Sequence, residues 1–160
     1  MKEEIKKIVE ELLDKMTVSV DSIDILDDGF GGKTRILIKS PDSRILIGKN
    51  GEHLFSLSHL VNKIINKGHD EKNNQFGFIV DVNNYQYQLV QELRTKATIL
   101  ADRARSFKKD IEMEPMPSYE RMIVHTFFEN DTSIKTASKG EGLNRHVVLC
   151  YKEEARQENF

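Results

Sequence analysis

The hydrophobic positions of the first 16 residues recur at the spacing of a helix, with lysine and glutamate between them. They are Ile5, Ile8, Val9, Leu12, Leu13 and Met16. This pattern predicts an amphipathic helix whose apolar face packs on a core. Two strands are predicted after it, in TVSVDSIDIL, which alternates with one slip near Ser22, and in TRILIK, which is β-branched and apolar.

A short helix, a break at two glycines and a longer helix follow these strands. The turn sequence SPDS offers Asp42 or Ser43 as the cap of the short helix. Gly48 and Gly51 end that helix and open the next one. The longer helix keeps its apolar residues at helical spacing, at Leu54, Phe55, Leu57, Leu60, Val61, Ile64 and Ile65. With a polar loop in NKGHDEKNN and a strand in QFGFIVDV, residues 1–82 are predicted to form one domain.

A second domain is predicted over residues 83–160, because the chain changes from a strand to a long helix near Asp81. This helix is predicted from Tyr85 to Phe107. Its core-facing stripe consists of Leu89, Leu93, Ala97, Leu100, Ala104 and Phe107. The following KDIEMEPMP is predicted to contain a short edge strand that its prolines end.

A further helix and a hairpin complete the second domain. Ser118 is placed to cap the helix, which is predicted from Tyr119 to about Glu129 with Glu120 in its first turn. Its buried residues are predicted to be Ile123, Val124, Phe127 and Phe128. SIKTAS and RHVVLCY predict a β-hairpin around KGEGLN, and KEEARQENF predicts a polar tail. The fold class expected for the whole chain is α+β.

Composition limits the functions open to the chain. Of 160 residues, 38% are hydrophobic, and 24 basic residues stand against 26 acidic ones, so the net charge is -2. Any nucleic-acid site must therefore be a local one. Cys150 is the only cysteine, which excludes an intrachain disulfide and fits a reducing compartment. The N-terminus is charged throughout, and no apolar stretch approaches the roughly 20 residues of a membrane span, which predicts a cytoplasmic protein without membrane insertion.

The stretch Gly48-Lys49-Asn50-Gly51 is the first candidate site. The amides that open the following helix are unpaired donors at the positive end of its dipole, which favours an anion. The glycines let a sugar-phosphate backbone approach the main chain, while Lys49 adds charge and Asn50 can donate and accept hydrogen bonds. A Gly-x-x-Gly loop of this kind clamps about four nucleotides of single-stranded nucleic acid. The alternative is a tight turn in which the glycines serve the backbone alone.

Positive charge and apolar residues surround this loop. Between positions 44 and 67 the charged residues are Arg44, Lys49, Lys63 and Lys67 against Glu52, four positive minus one negative. The residues expected to offer apolar surface to bases are Ile45, Ile47 and Leu54. A Walker A phosphate loop is excluded, because GxxxxGK[ST] does not occur here. These surroundings favour a nucleic-acid site over a bare turn.

The second candidate site is the helix SYERMIVHTFF, where Arg121 and His125 lie four residues apart and therefore on one face. Arginine offers a planar fork of donors to a phosphate, and histidine can donate or accept near neutral pH. The alternative is a structural role, in which Arg121 forms a salt bridge with a nearby glutamate and His125 is a hydrogen-bonded structural residue.

In its motifs and element order the chain resembles two known domains that bind single-stranded nucleic acid. The helix and strand before SRILIGKNGEHLFSLSHLVNKIIN, with the strand after it, are similar to a type II KH domain, a three-stranded sheet with helices on one face. EMEPMPSYERMIVHTFF, followed by TASKGEGLNRHVVL, resembles the R-three-H domain, a small sheet with helices named for its Arg-x-x-x-His helix. This second resemblance associates Arg121 and His125 with single-stranded nucleic acid, with Lys139 and Arg145 as neighbours in a locally basic hairpin.

This combination of domains resembles the bacterial Jag family, the SpoIIIJ-associated proteins. The resemblance implies a cytoplasmic RNA chaperone or post-transcriptional regulator that binds single-stranded RNA without a cofactor. It also implies a link to cell shape, a small single-KH protein as a possible partner, and a possible homodimer. Many members carry a further N-terminal domain, which the start of this chain at the first KH helix leads us to expect is lacking.

Catalysis finds no support in the residue pattern. The histidines are His53, His59, His69, His125 and His146, and no pair of them has metal-ligand spacing. Cys150 lies in a predicted strand as a small apolar residue, and the acidic pairs Asp27-Asp28 and Glu153-Glu154 fall in a turn and a tail. We therefore expect a protein that is not an enzyme. The alternatives are a protein-interaction adaptor on a ribosome or cell-division complex, and a binder of single-stranded DNA.

Overall fold

The computed structural model describes residues 1–67 and 77–153. Most of the predicted loop NKGHDEKNN, including His69, and the tail from Glu154 onward lie outside the described residues. The chain divides into two compact units, Met1–Gln88 and Leu89–Phe160. Both units combine helices with a small sheet, so the predicted α+β class is confirmed.

The first unit has the element order that the sequence predicts. Its elements are α1 (Lys2–Lys15), β1 (Ser22–Leu26), β2 (Thr34–Lys39), α2 (Ser43–Ile47), α3 (Glu52–Ile65) and β3 (Phe78–Val82). The sheet order is β1-β2-β3, with β2 antiparallel to β1 and parallel to β3. Ile36 in the central strand pairs with Ile25 on one side and Val80 on the other. The order of helices and strands along the chain is the one that the resemblance to a type II KH domain implies.

The core of the first unit joins the apolar faces of the helices to the sheet. Its fully buried members include Val9, Leu13, Ile36, Ile38, Leu46, Leu54, Val61, Val80 and Val82. The helical periodicity marks these faces correctly but overextends them, since Met16 is 41% exposed and Leu60 is 44% exposed. Met16 follows the last residue of α1, where the helical face ends.

The predicted cap of α2 is wrong. Asp42 does precede the helix, but its side chain makes no capping hydrogen bond. Its carboxylate instead accepts a hydrogen bond from the Ser19 amide at 2.7 Å. The Ser40 hydroxyl accepts from the Asp42 amide at 3.0 Å. Asp42 therefore fastens the chain that enters β1 to the turn before α2, a long-range contact that local sequence does not reveal.

A buried charged cluster connects β2, β3 and the start of the next helix. The Arg35 guanidinium donates to the Asp81 carboxylate at 3.0 Å and to the Asp28 carboxylate at 2.7 Å. Asp81 is fully buried, and its oxygens also accept from the amides of Gln86 and Tyr87 at 2.8 and 3.1 Å. The Tyr87 ring lies 5.0 Å from the guanidinium carbon. The pKa of Asp28 is lowered, chiefly because it accepts hydrogen bonds from Arg35.

The second unit contains most of one long helix, a shorter helix and a three-stranded sheet. The elements are α4 (Tyr85–Phe107), which crosses the division between the units, β4 (Ile111–Glu112), α5 (Ser118–Phe127), β5 (Ile134–Lys139) and β6 (His146–Tyr151). The sheet order is β4-β6-β5, and both pairings are antiparallel. The predicted edge strand and hairpin are confirmed.

The structure of the second unit corrects three details of the prediction. Along α4 the stripe is buried at Leu93, Ala97 and Ala104, but Phe107, at the end of the helix, is 70% exposed. Phe127 is only half-buried, under the guanidinium of Arg94 at 5.0 Å from the ring centre. Ser118 is the first residue of α5 rather than its cap, and its side chain makes no capping bond.

Candidate nucleic-acid interface

The backbone of the Gly-x-x-Gly loop requires its glycines. Gly48 has φ 71° and ψ -174°, a conformation open in practice to glycine alone, and Gly51 has φ 81°. A Cβ atom on Gly48 would lie 2.5 Å from the imidazole Cγ of His53. Asn50 adopts φ 54°, which asparagine tolerates better than most residues. The turn geometry alone is therefore enough to require these residue types, as the alternative interpretation holds.

His53 supports this loop in a way that the sequence analysis missed. Its Nδ1 lies 2.7 Å from the carbonyl oxygen of Ile45, in the helix before the loop. The ring packs where a side chain at Gly48 would stand. In the sequence this contact shows only as a glycine followed five positions later by a histidine, a spacing that does not predict such a contact. The contact fixes the end of α2 against the start of α3.

The loop exposes charged, polar and apolar side chains together. Arg44, Lys49 and Asn50 are exposed, and Ile45 is 59% exposed. Ile47 is half-buried, as is Gly48, while Gly51 is buried. The exposed groups thus combine two cations, one amide and one apolar side chain.

Leu54 does not belong to this surface. It is 1% exposed and lies in the core with Leu46 and Val61. The expectation that it offers apolar area to bases is therefore wrong. Helical spacing identifies the apolar face of α3, but that face is turned toward the sheet rather than toward solvent.

The N-terminus of α3 carries no side-chain cap, since Gly51 occupies the capping position. The Glu52 amide donates to the Lys49 carbonyl, so the turn itself uses one of the opening amides. Glu52 is also an exposed acidic residue in the first turn, where it balances part of the helix dipole. The positive end of the dipole therefore adds less to anion binding here than the sequence analysis expected.

Arg121 and His125 lie on one face of α5, as predicted, and each has a defined partner. The two terminal nitrogens of Arg121 donate to the Met116 carbonyl at 2.7 Å and to the Ser118 hydroxyl at 2.8 Å. His125 Nδ1 lies 2.6 Å from the Thr136 hydroxyl on β5. The structural alternative predicted a salt bridge from Arg121 to a glutamate, and no such bridge is present among the described residues. The hydrogen-bonded histidine of that alternative is present.

These two side chains line a surface cavity of about 460 Å³ in the second unit. Its walls are formed by Ser118, Arg121, Met122, His125, Thr126, Glu129, Ser138 and Arg145. Arg145 thus joins Arg121 and His125 as predicted, while Lys139 does not line the cavity. The pKa of His125 is lowered, first because burial disfavours its charged form and second because Arg121 repels it.

Ser138, which also lines the cavity, carries a hydroxyl whose hydrogen-bonding capacity the other described residues do not use. Its oxygen is buried and has no hydrogen-bond partner in the part of the chain that the structure describes. A buried hydroxyl without a partner is uncommon, because such a group loses its hydrogen bonds to water. Ile134, Thr136 and Ser138 are every second residue of β5, so the period of a strand places all three on one face. Ile134 is buried there. The strand period could have placed Ser138 on the face of Thr136. Only the packing of α5 on the sheet shows that this face lines the cavity.

A second cavity of about 420 Å³ in the same unit differs in charge. Its walls include the apolar side chains of Leu93, Ile99 and Met113, and its charged residues are Lys96, Glu112, Glu114 and Glu120. Burial raises the pKa of the Glu120 carboxyl, an effect that Lys96 partly offsets. Three carboxylates against one ammonium make this cavity unsuited to a polyanion.

Among the described residues, no group of three or more histidine, cysteine, aspartate or glutamate side chains could hold a metal ion. None of the described helices is both long enough and apolar enough to cross a membrane. Cys150 is half-buried in β6, with its sulfur 3.9 Å from the Val148 carbonyl.

Comparison with known proteins bears on both units. A model of the R-three-H domain matches residues 91–151. A protein of Clostridium symbiosum named RNA-binding protein KhpB is 32% identical over 152 residues, which cover 95% of this chain and 67% of that protein. The Bacillus subtilis protein of that name is 38% identical over 120 residues, which cover 74% of this chain and 56% of that protein.

A third relative of the same name, from Lactiplantibacillus plantarum, is 27% identical over 128 residues, which cover 79% of this chain and 39% of that protein. The chain thus spans between 39% and 67% of the lengths of these three relatives. The R-three-H match covers the cavity with Arg121, His125 and Arg145, and the longest alignment covers both units. The chain therefore belongs to the Jag family, whose matched members carry the name RNA-binding protein KhpB.

Proposed function

We propose that this protein binds single-stranded RNA through two sites, the Gly-x-x-Gly loop of a KH-type first unit and the Arg121–His125 cavity of the R-three-H unit. The observation that carries the proposal is the cavity itself. It brings together two guanidinium groups, an imidazole and a buried hydroxyl without a partner among the described residues. The name of the matched relatives supports RNA over DNA as the ligand.

The chemistry of the cavity suits a phosphodiester group. Arg121 is held by two hydrogen bonds, so its planar fork is already oriented when the ligand arrives. The lowered pKa of His125 keeps the ring neutral near pH 7, where it donates or accepts a hydrogen bond without adding charge. Ser138 supplies a further donor or acceptor. These groups position a backbone and carry no base code of their own.

The loop of the first unit supplies the second half of the proposal. Exposed Lys49 and Asn50 stand beside exposed Ile45 and Arg44, a set that suits the backbone and bases of about four nucleotides. Among the residues predicted from the sequence, Ile47, Gly48 and Gly51 shape the loop. Lys139 supplies a positive charge on β5 of the second unit. Leu54 has no part in the proposed site.

The proposal also covers role, location and partners. We infer a binding protein without catalysis, because the hydroxyl that His125 contacts, on Thr136, does not line the cavity. A role as RNA chaperone or regulator, a cytoplasmic location, a small single-KH partner and a homodimer are further expectations, supported by the family resemblance alone.

The test is a titration of the full chain with fluorescently labelled single-stranded RNA over a series of salt concentrations. Arg121→Ala is expected to weaken binding and to reduce the slope of log affinity against log salt by about one unit, as for the loss of one phosphate contact. Arg103→Ala is the matched control, because Arg103 is exposed on α4 and does not line the cavity. A thermal melt of each variant verifies folding.

An unaltered salt slope in the folded Arg121→Ala variant would remove the cavity from the RNA site. A parallel titration with single-stranded DNA of the same sequence distinguishes the two nucleic acids. Equal affinity for both would show a backbone reader that does not sense the 2′-hydroxyl.

A second candidate function, a protein-interaction adaptor, is favoured by the cavity that Glu112, Glu114 and Glu120 line. Its apolar walls and negative rim suit a basic segment of a protein rather than RNA. Crosslinking of the protein to RNA in cells separates the two functions. Crosslinks that vanish in the Lys49→Asp, Asn50→Asp double variant support RNA binding, whereas crosslinks absent from the wild type favour the adaptor.

A further inference from the structure

Leu143 is the most exposed large hydrophobic side chain among the described residues, at 98%. It lies in the turn that joins β5 to β6, within a short 3-10 segment of Gly142–Asn144. A leucine that touches nothing forgoes the stability that burial of its side chain would contribute. No described part of the fold uses this side chain.

The turn that carries Leu143 is held firmly by other groups. The Asn144 amide donates to the Glu141 carbonyl at 3.1 Å, and the Arg145 amide donates to the Gly142 carbonyl at 3.3 Å. An Arg145 side-chain nitrogen donates to the Gly140 carbonyl at 3.0 Å. Gly140 has φ 87°, and a Cβ atom there would lie 2.7 Å from the Asn144 carbonyl oxygen. Leu143 therefore lies in a turn whose backbone is fixed by hydrogen bonds.

This turn is connected to the Arg121–His125 cavity by hydrogen bonds. Arg121 donates to the Met116 carbonyl, and the Met116 amide donates to the Arg145 carbonyl at 3.1 Å. Arg145 itself lines the cavity. Since residues two apart span at most about 7 Å, the Leu143 backbone lies close to the backbone of Arg145. The cavity wall also carries Met122, which is 48% exposed.

We propose that Leu143 is an apolar pin that packs against a base of the bound single strand, next to the phosphate that Arg145 contacts. This inference rests on the proposed RNA-binding function and adds a base contact to a cavity whose other groups suit the backbone. Leucine is among the side chains that proteins insert between stacked bases. Over positions 139 to 145, Lys139 and Arg145 outnumber Glu141, so the pin stands in a slightly positive segment, which favours RNA over a basic protein segment.

The experiment uses the full chain and a single-stranded RNA with 2-aminopurine at one position, whose fluorescence rises when the base leaves its stack. The variants are Leu143→Ser and Leu143→Phe. Because the side chain is 98% exposed, neither change disturbs the fold. The control is Ile99→Ser, which removes a 49% exposed aliphatic residue that lines the other cavity.

Leu143→Ser is expected to weaken binding about fivefold and to reduce the fluorescence change, while Leu143→Phe strengthens both, since an aromatic ring stacks better on a base. Ile99→Ser should leave both readouts at the wild-type level. Wild-type affinity and fluorescence in Leu143→Ser would contradict the proposed base contact and would favour a protein partner for this residue. If Arg121→Ala still weakens binding in that case, the proposed function stands and only the pin fails. A wild type that does not bind RNA would overturn both.

Discussion

At the scale of single residues, the two proposed sites differ in how much of their geometry the fold itself requires. Gly48 and Gly51 are needed for their backbone angles whether or not RNA binds, so they are weak evidence for a site. Arg121 and Arg145 are better evidence. Both are fixed by hydrogen bonds to main-chain carbonyls and still line a cavity.

The protonation of His125 gives a direct test of the cavity. Burial and the charge of Arg121 both disfavour the imidazolium, so its pKa in the free protein is expected below the ordinary value of about 6.5. Arg121→Ala should move this pKa upward, because one of the two causes is removed. An NMR titration of the imidazole nitrogens between about pH 5 and 8 measures both values.

The same shift has a consequence for stability. A histidine with a lowered pKa in the fold leaves stability intact above its unfolded pKa and reduces it as the pH falls through that value, since the unfolded chain then binds more protons. His125→Gln should remove this part of the acid sensitivity. A His125 pKa at or above the ordinary value, unmoved by Arg121→Ala, would contradict the described cavity.

The sequence predicts the residues of a site better than the surface on which they lie. The spacing of Arg121 and His125 places them on one helical face, because both belong to a single regular element. Ser138 was missed because its approach to α5 depends on how the helix packs on the sheet. Leu54 was misassigned for the related reason that periodicity identifies an apolar face without saying what covers it.

At the scale of elements, the order of helices and strands was predictable, while their junctions were not. The hydrophobic pattern gives the strands and helices of the first unit to within a few residues, except that β1 begins at Ser22 rather than at Thr17. Asp42, Ser118 and Asp81 show the limit. The first two are predicted as local caps, but their side chains do not cap the helices. Asp81 lies in the preceding strand, and its carboxylate accepts a hydrogen bond from an amide in the first turn of α4.

Asp81→Ala is expected to destabilise the first unit by about 3 kcal/mol, because it leaves Arg35 without its buried partner and removes the acceptor of two amides. Urea denaturation followed by circular dichroism measures the loss. Asp24→Ala is the control, since Asp24 is exposed on β1. A loss no larger than that of the control would show that the buried cluster contributes nothing to the stability of the fold.

At the scale of the whole molecule, the net charge of -2 hides two local positive regions, one in each unit. Each region alone offers few phosphate contacts, so each alone is expected to bind weakly. Linking them in one chain makes the second contact intramolecular and raises affinity by roughly 10²- to 10⁴-fold when one strand reaches both. The proposed function therefore depends on RNA length in a way that a single site does not.

The most direct measurement is the affinity for single-stranded RNA of about four and about 16 nucleotides, in wild type and in three variants. The variants are Lys49→Asp with Asn50→Asp, Arg121→Ala, and the two combined. Aspartate at position 50 tolerates the observed φ of 54°, so the loop keeps its shape. A control of equal charge change is Lys7→Glu with Gln88→Glu, at two exposed helical positions.

The account predicts that wild type and control bind the longer RNA at least about 100-fold more tightly than the shorter one. Each single-site variant should lose most of that gain, and the combined variant should bind neither RNA measurably. A folded combined variant that binds the longer RNA as tightly as the control would contradict the central claim that these two sites hold the strand.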